Sequence, residues 1–186
     1  MEDALAQKTD EELAALVQRN NEAAFGVLME RFQNKLLRYG RKFLYEHAPI
    51  EDAVQEVFIK TYQNIQSYDP KRPFSPWIYR IAHNMFVNSL RERSRLPFIT
   101  VDLDLFPALA SHKLDPAEDE EREEIRTRIE RGLAKLSALY REVLILYYLE
   151  DLSYQEIAEV LRVPIGTVGI RLKRAREALK KHVEPT

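Results

Sequence analysis

The chain has 186 residues, 45% of them hydrophobic, with 28 basic and 30 acidic side chains and a formal net charge of −2. That length admits one domain or two small ones, and the apolar fraction is sufficient for packed cores. The lack of cysteine excludes disulfides and cysteine-based zinc sites; no apolar run approaches a membrane span, the strongest being the short stretch Val143–Leu149.

Five glycines are few for a loop- or strand-rich chain. Glu2 and Asp3 follow Met1, so no basic leader with an apolar run is expected, and a reducing cytoplasm fits. The small net charge conceals segregation. Lys71–Arg95 holds six basic residues and one acid, and Arg162–His182 seven and one, whereas Asp115–Glu130 holds eight acids against three arginines. Two separated basic segments in a near-neutral chain point to two contacts with a polyanion, set against the plainer reading of solvated helix faces.

In chain order, Phe25, Leu28, Phe32, Leu36, Tyr39 and Phe43 recur every three or four residues, the stripe of a core-facing helix. Val54, Val57, Phe58 and Ile65 repeat the pattern after Pro49. A third stripe, Trp77, Ile81, Met85 and Leu90, is expected to face the core, with Ser75 as N-cap and Pro76 at the first helical position. Periodicity fails between Leu96 and Leu114, a stretch holding Pro97 and Pro107, which predicts an extended linker. Asp115-Pro116 restarts a helix whose stripe is Ile125, Ile129, Leu133 and Leu136, and Leu139–Leu149 reads as a largely buried helix.

Ser153-Tyr154-Gln155-Glu156 is a capping box that starts a helix at Tyr154 and runs it to about Leu161, with the small Ala158 where a second helix crosses. Arg162-Val163-Pro164 makes the turn. The next helix buries Val168, Leu172, Ala175 and Leu179 and exposes Thr167, Ile170, Lys173, Arg174 and Glu177, with Arg171 and Arg176 on its flanks. This is the pattern of a helix-turn-helix, whose second helix enters the DNA major groove; the alternative is an ordinary helical hairpin with a basic face. Arg162 stands where many such turns have glycine; a positive φ there costs about 1–2 kcal/mol.

Leu152–Ala158 followed by Pro164–Val168 and Arg171–Arg176 resembles region 4 of extracytoplasmic-function sigma factors. Asp52–Phe58 followed by Pro76–Asn84 resembles their region 2. The resemblance implies an all-α fold of two small helical domains: region 2 over 1–95, a linker over 96–115 and region 4 over 116–186. It implies a factor, not an enzyme, that binds core RNA polymerase through the β′ clamp helices and the β flap, directs it to promoter DNA and aids melting of the −10 element. By resemblance, Asp52, Gln55, Glu56 and Phe58 grip the polymerase. Tyr68, Lys71, Arg72, Phe74 and Asn84 capture melted −10 bases, where an amide meets a base edge and an aromatic ring its face. Thr167, Ile170, Arg171, Lys173, Arg174 and Arg176 engage the −35 duplex, Arg174 on a guanine edge and Ile170 on a thymine methyl. Gly169 replaces a basic residue common in the family, which removes one phosphate contact. Asp102, Asp104 and the acidic run after Asp115 are expected to mimic nucleic-acid charge within the polymerase.

The resemblance further implies an anti-sigma partner, no cofactor or metal, no membrane insertion and a cytoplasmic location. The rival reading is a dimeric helix-turn-helix regulator that binds operators without polymerase. An enzyme fits less well: the four histidines (His47, His83, His112, His182) are scattered, and no glycine-rich phosphate loop or nucleophile motif occurs.

Overall fold

The computed structural model describes residues 2–44, 50–94 and 116–183, with side chains over 4–44, 50–90 and 123–183. The proposed linker, with Asp102 and Asp104, lies outside the described residues, as do Asp115, His47 and His112. The described residues form α1 (Glu2–Ala6), α2 (Asp10–Val17), α3 (Glu22–Leu44), α4 (Ile50–Asn64), a 3₁₀ turn (Ile65–Ser67), α5 (Phe74–Ser94), α6 (Pro116–Lys135), α7 (Ala138–Tyr148), α8 (Tyr154–Leu161) and α9 (Ile165–Val183).

Helices α1 to α5 build an N-terminal unit around α3. Leu28, Phe32, Leu36, Tyr39 and Phe43 of α3 are buried as the stripe predicts, with Val54, Val57 and Phe58 of α4. Helix α5 corrects the third stripe: its buried residues are Phe74, Ile78, Tyr79, Ala82 and Phe86, and Trp77, Ile81, Met85 and Leu90 lie partly buried beside them. The period was right and the phase was not, because α5 packs against α8 as well as α2, α3 and α4, which no local window contains. It also begins at Phe74, ahead of Ser75, because the Phe74 N–H donates to the Glu11 carboxylate of α2 at 3.0 Å. A side chain remote in sequence thereby satisfies a donor that a local cap would otherwise serve. Burial alone would raise the Glu11 carboxyl, yet this N–H and the Thr9 hydroxyl hold it below the ordinary value. Helix α2 rests on a capping box: Thr9 N–H donates to Glu12 at 2.9 Å, and Glu12 N–H to the Thr9 hydroxyl at 3.2 Å.

Helices α6 to α9 form the C-terminal unit, with α9 packed against α6, α7 and α8. The Ser153 capping box is present and α8 spans Tyr154–Leu161. Arg162 ends it at φ 52°, so the left-handed residue is an arginine. Of the α6 stripe, Leu133 and Leu136 are buried, whereas Ile125 and Ile129 are exposed. The orphan carbonyls at the end of α6 are taken by one guanidinium: Arg141 donates to Leu133, Ala134 and Leu136 oxygens at 3.0, 3.1 and 2.9 Å. Gly132 is a close approach, since a Cβ there would lie 2.8 Å from Leu179 Cδ1 and 2.9 Å from Val183 Cγ2.

The two units touch. Helix α7 lies on α3, and α8 on α5. The Tyr39 hydroxyl donates to Glu142 at 2.5 Å and the Tyr79 hydroxyl donates to Glu150. Burial, and then the facing carboxylate, push both phenols well above their ordinary range; burial does the same to Tyr68. A raised folded-state value means the stabilisation is complete below the unfolded phenol value near 10 and is lost as pH climbs past it. In an absorbance titration at 295 nm, these three of the nine tyrosines are therefore expected to ionise last, together with loss of structure. Nine tyrosines titrating together near pH 10 with the fold intact would contradict these contacts.

Candidate nucleic-acid interface

A cavity of about 510 Å³ opens between the end of α4, the 68–73 loop and the start of α5, with Glu159 and Arg162 of the C-terminal unit also in its lining. The loop is fixed from behind. Gln18 Nε2 of the α2 C-cap donates to the carbonyls of Ile65 and Tyr68 at 2.8 and 2.7 Å, and Gln66 returns a bond to the Gln18 carbonyl at 2.9 Å. Asp69 closes the turn, its carboxylate accepting from Lys71 N–H at 3.0 Å and its carbonyl from Arg72 N–H at 3.0 Å. The Tyr68 hydroxyl donates to the Arg72 carbonyl.

Of the five residues predicted to capture −10 bases, Tyr68, Arg72 and Asn84 line this cavity. Lys71 is exposed on the loop and outside the lining. Phe74 is a correction: it is fully buried, packed against Phe32 at 5.4 Å and Tyr68 at 5.3 Å, and does not line the cavity. Trp77 is half-buried and lines the cavity, with its ring centroid 5.2 Å from Tyr68. Lys60, Asn64 and Arg80 line it as well. Their signal was the spacing: Lys60 and Asn64 are four apart on α4, and Trp77, Arg80 and Asn84 fall at i, i+3 and i+7 on α5. Cations, two amides and an indole thus converge on one concave surface, the side-chain set that binds an unstacked nucleic-acid strand.

In the C-terminal unit, α9 presents Ile170, Lys173 and Arg174 to solvent, with Ile170 at 56% exposure. Thr167 is half-buried at the helix start. Ile165, which sequence reasoning missed, is 49% exposed in the same first turn. Arg176 is exposed but turns toward Tyr148, whose hydroxyl hydrogen bond raises the guanidinium further; both line an apolar groove between α6, α7 and α9. Arg171 is half-buried and lines a cavity between the two units.

On α4, Asp52 and Gln55 are exposed, and Glu56 pairs with Lys60 at 3.6 Å. Phe58 is the second correction, buried edge-on against Phe25 at 6.4 Å and so part of the core. The exposed apolar residues of that helix are Ile59 and Tyr62. Among the described residues no cluster of histidine, aspartate or glutamate is arranged for a metal, and no helix is long and apolar enough to cross a membrane.

Comparison with known proteins agrees with this geometry. Residues 28–96 match the family model described as Sigma-70 region 2, and residues 126–179 the one described as Sigma-70, region 4. The ECF RNA polymerase sigma factor SigW of Bacillus subtilis is 32% identical over 173 residues, covering 90% of this chain and 92% of its own. The RNA polymerase sigma-H factor of Pseudomonas aeruginosa is 34% identical over 189 residues, covering 97% of each. Among solved structures, CnrH in complex with the cytosolic domain of CnrY superimposes with a TM-score of 0.69 at 28% identity, over 92% of this chain and 95% of that one. The sigma factor RpoE from Bartonella quintana, solved with the anti-sigma factor NepR, has the same fold, with a TM-score of 0.68 at 24% identity over 85% of this chain and 95% of its own. Two concave or cationic surfaces on the helices of the described residues, each inside a matching sigma region, and similarity above 30% identity over nine-tenths of the chain or more place the protein: it belongs to the extracytoplasmic-function RNA polymerase sigma factors.

Proposed function

We propose that the chain, docked on core RNA polymerase, reads a promoter in two pieces and leaves phosphoryl transfer to the core enzyme. Residues 1–95 form the polymerase- and −10-binding domain, 96–115 the linker and 116–186 the −35-binding domain. The observation that carries the reading is the cavity beside the 68–73 loop, where Arg72, Trp77, Arg80 and Asn84 meet. There Asn84 reads a base edge, Trp77 stacks on a base face, and Arg72, Arg80 and Lys60 hold phosphates, with Lys71 adding charge at the rim. Strand capture stabilises the melted state by binding it selectively, offsetting the few kcal/mol of base extrusion.

On α9, Arg174, Lys173 and Ile170 contact −35 base edges, Thr167 and the first-turn amides bind phosphate, and Arg171 and Arg176 flank them. Asp52, Gln55 and Glu56 form the polymerase-facing edge of α4, beside Ile59 and Tyr62, and the C-terminal unit meets the β flap. The complex of CnrH with the cytosolic domain of CnrY supports a protein partner for this chain too, which the reading takes to be an anti-sigma factor, and the reading places the chain in the cytoplasm with the polymerase.

The test is promoter opening by the assembled holoenzyme, read by permanganate reactivity of −10 thymines. Asn84→Ala and Trp77→Ala are each expected to weaken opening about 5- to 150-fold, the value of about 1–3 kcal/mol for one stacked or edge-read base, with duplex binding retained. Unchanged opening in both would contradict the pocket.

A further inference from the structure

The loop that shapes the strand cavity is held at both ends from one helix that does not line it. Gln18 is the C-cap of α2, yet its side-chain amide reaches 47 and 50 residues along the chain, donating to the carbonyls of Ile65 and Tyr68 at 2.8 and 2.7 Å. Those bonds fix the entry of the 68–73 loop. The bond from Gln66 Nε2 back to the Gln18 carbonyl, at 2.9 Å, ties the same corner. Glu11 fixes the exit: its carboxylate accepts the Phe74 N–H at 3.0 Å, directly after Pro73. Glu11 and Gln18 are seven residues apart, about two helical turns, so they project from one face of α2. One short rigid rod thus sets the span across which the loop hangs.

The rod is itself anchored. Leu13, Ala14 and Val17 of α2 are buried. Arg31 of α3 donates to the Asp10 carboxylate at 2.7 Å and to the Lys8 carbonyl at 2.9 Å, which pins the start of α2. Neither Gln18 nor Glu11 lines the cavity, so neither touches the strand. The plainer reading is that both simply stabilise the fold. Against it, the groups they engage are backbone atoms at the two ends of the loop, so they decide where the loop stands and not how a side chain packs. The bonds inside the loop, from Lys71 N–H to Asp69 and from the Tyr68 hydroxyl to the Arg72 carbonyl, are local and shape the turn without placing it. Placement matters because the cavity has two walls. Arg72 comes from the loop, whereas Trp77, Arg80 and Asn84 come from α5. A strand is gripped by both walls at once only when they stand at a fixed separation.

We infer that Gln18 and Glu11 are positioning residues for strand capture: through the loop backbone they hold Arg72 in register with Trp77, Arg80 and Asn84. A loop released at either end samples other placements, and affinity falls with the fraction of molecules still in the competent one. This rests on the strand-pocket reading above, and the test separates the two.

Gln18→Leu keeps the size of the side chain and removes the donor. Glu11→Ala removes the acceptor, and Glu11→Gln keeps one. Each full-length variant is assembled with core polymerase and titrated onto a promoter the holoenzyme transcribes, once as duplex and once with the −10 segment mismatched and so already open. Amide hydrogen exchange of the free chain is read over residues 65–74. Gln18→Leu is expected to exchange faster there, with exchange in α3 unchanged. It should bind the pre-opened template about 5- to 20-fold more weakly, the effect of two ordinary hydrogen bonds on the competent fraction. Glu11→Ala should show a smaller loss and Glu11→Gln close to none. In an Asn84→Ala background, Gln18→Leu should cost less than in the parent, because one of the contacts it aligns is gone. Unchanged exchange over 65–74, parental binding by a loosened loop, or the same loss in both backgrounds overturns the positioning role. Should Gln18→Leu loosen α3 as well, the Glu11 pair decides, and equal binding by Glu11→Ala and Glu11→Gln overturns it. Asn84→Ala that binds the pre-opened template as tightly as the parent overturns the strand-pocket reading, while exchange over 65–74 still reports on the brace by itself.

Discussion

Phe86→Ala is expected to destabilise the N-terminal unit by about 3–5 kcal/mol, the cost of truncating a fully buried phenylalanine. Phe86 has no solvent exposure and its ring lies 5.2 Å from Tyr39. It is also met by backbone, since a Cβ on Gly40 would lie 3.2 Å from its Cζ. Two helices this close leave little freedom to collapse into the space, so the cavity term persists. At about 4–8 °C per kcal/mol for a unit of this size, the midpoint should fall by roughly 10–40 °C. Because α5 also carries Trp77, Arg80 and Asn84, strand capture should fail with it. Thermal unfolding followed by circular dichroism checks this; a shift worth less than about 1 kcal/mol would mean that α5 is not packed as described.

Arg174→Ala should act on the opposite end of the chain and in a different currency. Arg174 is exposed on α9 beside Ile170 and Lys173, so its loss leaves the fold intact. A bidentate arginine–guanine contact discriminates by about 1–3 kcal/mol, so preference at one −35 position should relax by about 5- to 150-fold. Lys173→Ala should likewise relax preference at its own −35 position, since Lys173 faces base edges beside Arg174. The measurement is holoenzyme binding to a panel of −35 substitutions at two salt concentrations. Equal loss on every template for Arg174→Ala would make it a phosphate contact. Arg171→Ala should matter less in the free chain than in the holoenzyme, because Arg171 is turned into the cleft between the units.

What could be read from the residues alone followed the range of the physics involved. Local hydrogen bonding sets the start of α8 at Tyr154 through the Ser153 box and its end at Leu161 through the left-handed Arg162, and both lie within a few residues of sequence. The α3 stripe was legible because one long amphipathic helix carries its own phase. The motifs around Phe58 and Phe74 point to ligands, yet burial is decided by partners such as Phe25 and Phe32 that no local window contains. The phase of α5 failed for the same reason. The meeting of Arg38 with Glu150, 112 residues apart, leaves no periodic trace at all. The Thr9–Glu12 box was visible and overlooked.

The central claim is that this chain confers promoter-directed initiation on an RNA polymerase that lacks it. Run-off transcription on host genomic templates, with core polymerase, this protein, or both, measures that directly. Discrete transcripts only when both are present are the predicted result. Specific operator binding by the protein alone, with no RNA from any template when core enzyme is added, would contradict it.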